Sequence, residues 1–396
     1  MSKRCFLLAF IFVHGLLKAQ TDTIPFLLDS LLTLRMNEYK IQGLSIGIVK
    51  DGQLYYTKGY GFTDLSGIYP VTDNTRFAIA SVTKLFTITA VMQWVEKGDL
   101  KLEGRLVEYL PDFKMRDDRY RDITLFQLVT HSSGLPWDNK LKNSPDDSTA
   151  LHLLFYSLRQ SKLNYKPGSK FSRHTYSNTG YDVLGYLVQQ KAGVPFERYL
   201  AQNIFQPVGM TASTFDRHAI PEGQLAMPMK IKGTSSKIRG YNKFKIIPHD
   251  QYSSLTLEGY SNYRWGQREH NPDGYLYSTA NDLSLWMKHL LDIYHQRDMN
   301  GQPVLSRPTL EEMWKPKLKI EPSGMSVGLG WWQNKSPYGQ FVFHVGNDPG
   351  YCAILLMYPR QDFGLVILTN ARYSARYIWN TLPFEIYAII AGDSRY

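Results

Sequence analysis

The pattern of apolar and polar positions at the start of the chain predicts a helix followed by a β-hairpin. Apolar residues recur at helical spacing over residues 24–39. Two runs rich in β-branched and aromatic residues, 44–50 and 53–57, then flank Asp51-Gly52. Glycine supplies the positive φ of a tight turn, so an Asp-Gly pair between two such runs is a strong hairpin signal.

The middle of the chain has mostly helical spacing, and the end returns to extended runs and a closing helix. The predicted C-terminal strands and helix cover residues 327–332, 340–344, 351–358, 364–369 and 377–391. This order predicts an α/β (α+β) fold, an antiparallel β-sheet flanked by helices with an inserted, mostly helical domain. Residues 20–112 with 277–396 would form the sheet domain, and residues 113–276 the insertion with a variable rim segment.

The N-terminus has the pattern of a secretory signal. Two basic residues precede an apolar run of 13 residues at positions 5–17, and Ala19 offers a small residue for cleavage. That run is too short to span a bilayer, so residues 1–19 are predicted to be removed from an exported chain, periplasmic or secreted, without an integral membrane segment. Cleavage leaves Cys352 as the sole cysteine, which excludes an intramolecular disulfide.

Charge and motif content narrow the function classes. The net charge is +10, but the basic residues are scattered apart from a cluster near residues 230–245, which argues against nucleic-acid recognition. The sequence shows no His/Cys spacing typical of a metal site, no Gly-x-Ser-x-Gly elbow, no phosphate-binding loop and no dinucleotide fingerprint. We therefore expect no cofactor and no metal, and a small-molecule or peptide substrate.

Candidate chemistry first appears at the mouth of a strongly apolar helix. Residues 85–95 are apolar except for two threonines and a glutamine, and a helix that is apolar nearly all round is buried. Ser81 and Lys84 precede this run at a spacing that puts both side chains on one helical face. A buried amine beside a hydroxyl can serve as its base, although a capping serine and a lysine reaching solvent would show the same spacing.

A nucleophilic serine needs further partners, and two segments could supply them. Tyr-Ser-Asn occurs at 176–178 and at 260–262, and we favour Tyr176 and Asn178 because they directly open a helix. The phenol of Tyr176 would need a nearby cation such as Lys84 to act as a base.

The second segment is His344-Val345-Gly346-Asn347, at the end of a predicted strand. A glycine there permits close approach of backbone to substrate, and a strand edge can offer an N–H opposite that of Ser81 to hold an oxyanion. A packed histidine at the strand end is the alternative for His344.

Taken in order, these motifs resemble those of the serine β-lactamase-like proteins, which include class C β-lactamases, penicillin-binding D-alanyl-D-alanine carboxypeptidases, esterases and D-aminopeptidases. The resemblance covers roughly residues 44–369. It rests on SVTK (81–84), LVTHSSGLP (128–136), YSNTGY (176–181), YLYSTANDL (275–283), GLGWW (328–332), HVG (344–346) and DPG (348–350).

The resemblance implies a β-lactamase/transpeptidase-like fold and an acyl-enzyme mechanism. Ser81 would attack a carbonyl while Lys84 and Tyr176 share the proton transfers. Asn178 would hold Lys84 and the substrate amide, and the backbone N–H groups of Ser81 and Asn347 would form the oxyanion hole. His131 also falls in a family motif, where a structural role is implied.

Two departures from the family pattern bear on the substrate. Where the family has a Thr or Ser that binds a carboxylate, this chain has Val345, and losing such a hydrogen bond removes about 1.5–3 kcal/mol of binding free energy. Tyr275 adds bulk where many relatives have glycine.

The leading hypothesis is therefore an exported serine hydrolase acting on an ester or amide, with a D-amino-acid peptide among the candidates and with β-lactamase activity weak at best. The alternatives are a D,D-carboxypeptidase or class C-like β-lactamase, and a catalytically silent binding protein on the same scaffold.

Overall fold

The structure is a computed structural model that describes residues 23–138, 141, 145–172, 175–232, 249–259, 268–299 and 301–393. The predicted leader, residues 1–19, and the second Tyr-Ser-Asn segment, residues 260–262, lie outside the described residues. No helix in the described ranges is both long and apolar enough to cross a membrane.

Twelve strands are named in these ranges. They are β1 Gly43–Lys50, β2 Gln53–Gly61, β3 Phe77–Ala78, β4 Met229–Ile231, β5 Leu257–Gly259, β6 Tyr277–Ser278, β7 Leu318–Ile320, β8 Met325–Val327, β9 Trp332–Ser336, β10 Gly339–Asp348, β11 Tyr351–Tyr358 and β12 Phe363–Thr369.

The α-helices run between and around these strands. They are α1 (residues 23–38), α2 Lys84–Glu96, α3 Leu106–Tyr109, α4 Leu125–Val129, α5 Ala150–Ser157, α6 Asn178–Ala192, α7 Phe196–Leu200, α8 Gln206–Val208, α9 Asn271–Gly274, α10 Ala280–His295, α11 Arg307–Trp314, α12 Ala375–Asn380 and α13 Leu382–Ala391.

Eight strands form one sheet in the order β2-β1-β12-β11-β10-β9-β8-β7, and all the pairings along it are antiparallel. The first hairpin of the chain therefore joins the C-terminal meander through β1 and β12. The remaining strands form two small pairs, β3 with β6 and β4 with β5. The predicted fold class, an antiparallel sheet flanked by helices, is confirmed.

Each face of the large sheet is covered by a hydrophobic cluster. On one face, α1, α12 and α13 pack against side chains such as Ile46, Ile354 and Ile367. On the other face lie α2, α10 and the helices of the middle segment. Gly47 lets α10 approach β1 closely, because a Cβ at this position would lie 2.0 Å from Ser284 Oγ.

Three predicted elements differ from the structure for local reasons. The run 327–332 is not one strand, because the chain leaves β8 through Gly330, which has a φ of +78°. The closing helix is two helices, since Pro383 occupies the first turn of α13 and cannot continue α12. The sequence also predicts a helix from residue 281 to about residue 294 with Ser278 as its cap, whereas Thr279 caps α10, its side chain accepting from the Asp282 N–H.

Candidate active site

Ser81 lies in a single 3₁₀ turn, Ala80–Thr83, that connects β3 to α2. The sequence predicted it in the first turn of the α-helix itself, and the structure shows this tighter turn instead. Ala80 enters the turn with a φ of +48°, a left-handed conformation that L-residues other than Gly, Asn and Asp rarely adopt. Such backbone strain is often found at functional sites.

The turn that carries Ser81 packs directly against strand β10. A Cβ on Gly346 would lie 2.0 Å from the carbonyl oxygen of Ile79, so only glycine allows this approach of two backbones. The sequence predicted a glycine here for close approach of substrate; the structure shows that Gly346 lets the turn that carries Ser81 approach the strand.

The Lys84 amine is completely buried and sits among three oxygen atoms. Its Nζ lies 3.2 Å from Ser81 Oγ, 2.9 Å from Asn178 Oδ1 and 2.6 Å from the backbone carbonyl oxygen of Asp273. The two carbonyl-type oxygens can only accept hydrogen bonds, whereas a hydroxyl can also donate. An unprotonated amine would thus give its two N–H groups to Asn178 and Asp273 and turn its lone pair toward the Ser81 hydroxyl.

Tyr176 lies beside the same amine. Lys84 Nζ is 5.2 Å from the centroid of the Tyr176 ring. Burial raises the pKa of the Tyr176 hydroxyl above its ordinary value, while the Ser81 side chain acts in the opposite direction. Burial thus favours the protonated phenol, which can donate a proton before it accepts one.

His131 supports Tyr176 from behind. The two rings stack with centroids 4.0 Å apart, and His131 Nδ1 accepts a hydrogen bond from the Ser177 N–H at 3.2 Å. Burial and the neighbouring Lys84 hold the pKa of His131 well below its ordinary value. A neutral imidazole that accepts at Nδ1 carries its proton on Nε2. This arrangement agrees with the structural role that the resemblance implied.

The start of α6 fixes Asn178. The Ser177 side chain caps the helix by accepting from the Gly180 N–H at 3.0 Å and donates to the Pro136 carbonyl oxygen at 2.7 Å. The Asn178 N–H donates to the Trp137 carbonyl oxygen at 2.8 Å. These bonds lock the helix start against the 131–137 loop and aim the Asn178 amide at Lys84.

His344 faces the Lys84 side of the sheet. Its Nδ1 donates to the Val345 carbonyl oxygen at 2.8 Å, which leaves a lone pair on Nε2. Burial, together with the charge of Lys84, lowers the pKa of His344 to about 3. The imidazole is therefore neutral at any physiological pH.

Val345 does not face the cleft. Successive side chains of a strand point to opposite faces, and Val345 packs in the hydrophobic cluster beneath α12 and α13. The substrate argument built on its missing hydroxyl therefore lacks a structural basis, because the residue at this position points away from Ser81.

Asn347 lies near the end of β10, where one edge of the strand is open. The pairing of β9 with β10 ends at Phe343, so in the described chain the stretch 344–348 has a strand partner only on the β11 side. The Asn347 side chain keeps its Oδ1 atom buried without a hydrogen-bond donor among the described residues. A backbone edge of this kind can offer N–H groups to a substrate carbonyl.

A buried group that sequence reasoning missed lies directly behind Lys84. His270 Nδ1 is 2.9 Å from Asp182 Oδ2 and 3.2 Å from Asp273 Oδ2. Asp273 Oδ1 in turn lies 3.8 Å from Lys84 Nζ. These residues come from α6 and from the segment at α9, so no local spacing could have revealed them.

Among the described residues, one group of His, Cys, Asp or Glu side chains is close enough to share a metal ion, and it consists of Asp182, His270 and Asp273. His270 Nδ1 makes a hydrogen bond with Asp182 Oδ2 at 2.9 Å and lies 3.2 Å from Asp273 Oδ2, so the histidine already links the two carboxylates.

The structure thus brings Ser81, Lys84, Tyr176 and Asn178 together as the sequence predicted, with His344 and Gly346 on the adjoining strand. It turns Val345 away. It adds His131 as the support of Tyr176 and the Asp182–His270–Asp273 cluster as the surroundings of Lys84.

The chain is similar in sequence to several known proteins. The chain is 25% identical over 347 residues to Protein flp of Staphylococcus aureus, which covers 87% of this chain but only 62% of that protein. It is also 25% identical over 379 residues to a Beta-lactamase of Pseudomonas fluorescens, covering 87% of this chain and 93% of the relative. The chain thus spans about three fifths of the staphylococcal relative.

Solved structures agree at the level of the fold. The octameric penicillin-binding protein homologue from Pyrococcus abyssi superimposes with a TM-score of 0.70 at 26% identity, covering 92% of this chain and 77% of that one. SurE superimposes with a TM-score of 0.73 at 20% identity, covering 94% and 76%. The family model described as Beta-lactamase matches residues 28–384. The chain therefore belongs to the beta-lactamase family.

Proposed function

We propose that this protein is an exported serine hydrolase that cleaves an ester or amide through an acyl-enzyme on Ser81. One observation carries the proposal. Lys84 is completely buried, and its Nζ lies 3.2 Å from Ser81 Oγ while two carbonyl-type oxygens hold its other side. A buried amine in this position is suited to act as a general base for the hydroxyl.

In the first half-reaction Ser81 Oγ bonds to the substrate carbonyl carbon, and the hydroxyl proton passes to Lys84. The backbone N–H groups of Ser81 and Asn347 would hold the oxyanion of the tetrahedral intermediate. Collapse of the intermediate breaks the bond to the leaving alcohol or amine. In the second half-reaction water bonds to the acyl carbon and gives a proton to Lys84, the bond from that carbon to Ser81 Oγ breaks, Oγ recovers the proton, and the carboxylic acid leaves.

Tyr176 fits the role of proton carrier to the leaving group. Burial keeps the pKa of its hydroxyl above the ordinary value, so the phenol is protonated when the substrate arrives. It can give this proton to the departing oxygen or nitrogen and recover it from Lys84. Lys84 as the base and Tyr176 as the acid follow a common arrangement, in which the surroundings of two groups give them different pKa values.

The surroundings of Tyr176 favour an apolar group on the substrate. The ring centroids of Trp137 and Trp332 lie 5.0 Å and 6.4 Å from that of Tyr176, and both indoles are partly exposed. Half-exposed aromatic side chains next to a reacting centre bind apolar and aromatic groups. We infer an ester or amide with an apolar substituent near the scissile carbonyl, and a D-amino-acid peptide meets this description.

The test is intact mass spectrometry after reaction with a fluorophosphonate probe, followed by hydrolysis of a p-nitrophenyl ester series. We expect a single adduct on the wild type, none on Ser81→Ala, and faster turnover as the acyl chain grows from acetate to hexanoate. Ser284→Ala is the matched control, because this buried serine bonds within α10 to the Ala280 carbonyl oxygen and should leave labelling unchanged. An adduct that persists in Ser81→Ala, or a wild type that is never labelled, would contradict the proposal.

A second candidate is a D,D-carboxypeptidase or a class C-like β-lactamase. It is favoured by the placement of His344 beside Lys84 and by the similarity to the Pseudomonas fluorescens protein described as a Beta-lactamase. A fluorescent penicillin separates the candidates. Stable labelling of Ser81 supports a penicillin-binding peptidase, and rapid turnover of the penicillin supports a β-lactamase. If neither labelling nor turnover occurs, the ester or amide hydrolase is supported. A wild type inert to every acylating reagent would be the catalytically silent binding protein.

Export is the remaining part of the proposal. It is supported by the basic start and the apolar run of positions 5–17. N-terminal sequencing of the protein recovered from the periplasm or medium should begin just after Ala19. A cytoplasmic protein with an intact N-terminus would contradict export without touching the chemistry.

A further inference from the structure

The proposed mechanism gives Lys84 the serine proton but leaves unexplained the buried carboxylate behind it. Asp273 accepts from Lys84 through its backbone carbonyl oxygen at 2.6 Å, a contact that any residue at this position could make. Its side chain adds something that the backbone cannot, because Oδ1 lies 3.8 Å from Nζ and both groups are buried. A negative charge at this distance, buried away from water, strongly raises the proton affinity of an amine.

The Asp273 carboxylate lies in a buried ion-paired cluster. His270 Nδ1 holds Oδ2 at 3.2 Å, and the same nitrogen holds Asp182 Oδ2 at 2.9 Å. His270 Nε2 lies 3.3 Å from Asp138 Oδ1 on the other side of the ring. Asp182 is fully buried in α6, so the cluster is anchored in the same helix that begins with Asn178.

Burial and neighbouring charges shift the pKa values of this cluster in different directions. Burial lowers the pKa of His270, but Asp182 and Asp273 more than reverse this, so its pKa lies well above the ordinary value and the ring is positive. Burial and the nearby Asp273 raise the pKa of Asp182, which favours its neutral form. For Asp273, burial is outweighed by Lys84 and His270, and its pKa lies below the ordinary value. Asp273 is thus the negative member of the cluster, next to the Lys84 amine.

We propose that Asp273, held in place by His270 and Asp182, is a positioning residue that sets how readily Lys84 takes up and releases the serine proton. The inference rests on the proposed function, since it gives a role to Lys84 only within acyl transfer. The negative charge of Asp273 stabilises the ammonium form of Lys84. The ion pair of Asp273 with His270 weakens this effect. The sequence placed neither residue in the site.

Other titratable groups face Lys84 and must be considered in the test. They are Tyr176 and Tyr181 from the start of α6, His131 from the loop after α4 and His344 from β10. The two histidines stay neutral and the two tyrosines have raised pKa values through burial, so none of the four changes charge near neutral pH. Tyr275, whose ring centroid is 6.3 Å from that of His270, likewise has a raised pKa through burial.

Two variants make opposite predictions. Asp273→Asn keeps the backbone carbonyl and the side-chain shape but removes the negative charge, which should lower the pKa of Lys84. The acid limb of the pH profile of fluorophosphonate labelling should then move to lower pH by about one unit or more. His270→Gln removes the positive charge that shares the carboxylate, so the limb should move to higher pH. A structural role alone would reduce the amount of folded enzyme without opposite shifts.

The same shifts should appear without any catalysis. Full-length chain labelled with ¹³C-lysine reports the titration of Lys84 Cε by NMR, with Lys84→Arg used to assign the resonance. Asp282→Asn is the matched control, because it neutralises another buried carboxylate, on α10, that accepts from Ser213. Asp282→Asn should not change the midpoint of the Lys84 titration. Should Asp273→Asn fail to fold, Asp273→Ser removes the same charge with a smaller side chain.

Opposite shifts in the two variants support the inference. Equal midpoints in wild type and Asp273→Asn, or shifts of the same sign in both variants, would overturn it. A wild type that no probe labels would refute the proposed function, while the lysine titration would still decide whether Asp273 controls the Lys84 proton.

Discussion

The ring of His131 lies 4.0 Å from the ring of Tyr176, with the two planes 23° apart, and its Nδ1 accepts from the Ser177 N–H. The histidine therefore supports both the Tyr176 ring and the backbone that begins α6. It does so from a backbone φ of +56°, which few side chains tolerate.

We expect His131→Asn to reduce kcat/KM at least tenfold, because asparagine accepts the positive φ but cannot support the Tyr176 ring. Loss of the stack and of the acceptor for Ser177 should also lower the free energy of unfolding by about 1–3 kcal/mol. Urea unfolding and ester hydrolysis measure the two effects. His152→Asn, an exposed histidine on α5 beside Tyr186, is the control and should change neither. An unchanged kcat/KM in His131→Asn would show that Tyr176 holds its position without this ring.

Gly346→Ala should disable the site. The added methyl would lie 2.0 Å from the Ile79 carbonyl oxygen, so strand β10 must move away from the turn that carries Ser81. Displacements of about 1 Å can reduce catalysis about a hundredfold, and overpacking destabilises by about 1–3 kcal/mol. The rate of fluorophosphonate labelling, normalised to folded protein, gives the catalytic part.

Gly180→Ala provides the matched comparison for that experiment. A methyl there meets its nearest neighbour, Ser177 Oγ, at an ordinary 3.5 Å. It should leave both labelling and stability close to wild type. Equal behaviour of the two variants would contradict the steric argument for Gly346.

Stability should fall as the pH drops from about 6.5 to 4. Burial lowers the pKa of His289 to about 4, and its Nε2 accepts from the Val304 N–H, so the folded chain resists a proton that the unfolded chain takes up. Where the unfolded state binds more protons, stability rises with pH. In this window each such histidine contributes up to about 1.4 kcal/mol per pH unit. His270, whose pKa is raised, affects stability only above the window, while the raised pKa of Asp182 opposes the slope and cancels the contribution of one histidine.

His289→Gln should flatten this dependence. Urea unfolding at pH 7, 6, 5 and 4, at constant ionic strength, gives the slope for wild type and variant. The difference in slope should approach 1.4 kcal/mol per unit between pH 6 and 5, and no more, because His131 and His344 keep their own contributions. Parallel curves would show that His289 becomes protonated in the folded protein.

Glu385→Gln should destabilise the layer of helices that covers the far face of the sheet. Glu385 is buried in α13, accepting from Arg35 of α1 at 2.6 Å and from the Tyr377 hydroxyl of α12 at 2.5 Å. Removing one partner of a buried charged pair costs more than removing an exposed one. We expect a loss of about 1–3 kcal/mol in the free energy of unfolding.

The exposed pair of Arg307 and Glu311 serves as the reference for that loss. It has a similar distance, 2.8 Å, but both side chains are more than a third exposed. Glu311→Gln should change the free energy of unfolding by no more than about 0.5 kcal/mol. Comparable losses in the free energy of unfolding for Glu385→Gln and Glu311→Gln would show that the burial of Glu385 does not strengthen its ion pair.

Much of the candidate site could be predicted because its signals are local. Ser81 and Lys84 are three positions apart at the start of one helical segment, and Asn178 directly follows a capping serine. The β-hairpin and the strand β11 were equally visible, since alternation and turn residues determine them.

The rest depends on contacts between distant segments. Asp182, His270 and Asp273 meet only because α6 and the segment at α9 both pack beside α2, and nothing in their spacing indicates this. Val345 shows a different limit. Its motif suggested a substrate contact, whereas alternation along β10, combined with a second hydrophobic layer, directs it away from the cleft.

The pairing of β1 with β12 also constrains the order in which the chain can fold. The Gly43 N–H donates to Asn370 Oδ1, 327 positions later, and β1 has its second strand neighbour only when β12 is present. During synthesis one edge of β1 therefore stays unpaired until β12 has emerged. A chain truncated within β12 would keep the segment with Ser81 and Lys84 and yet be unable to close the sheet, so it would aggregate.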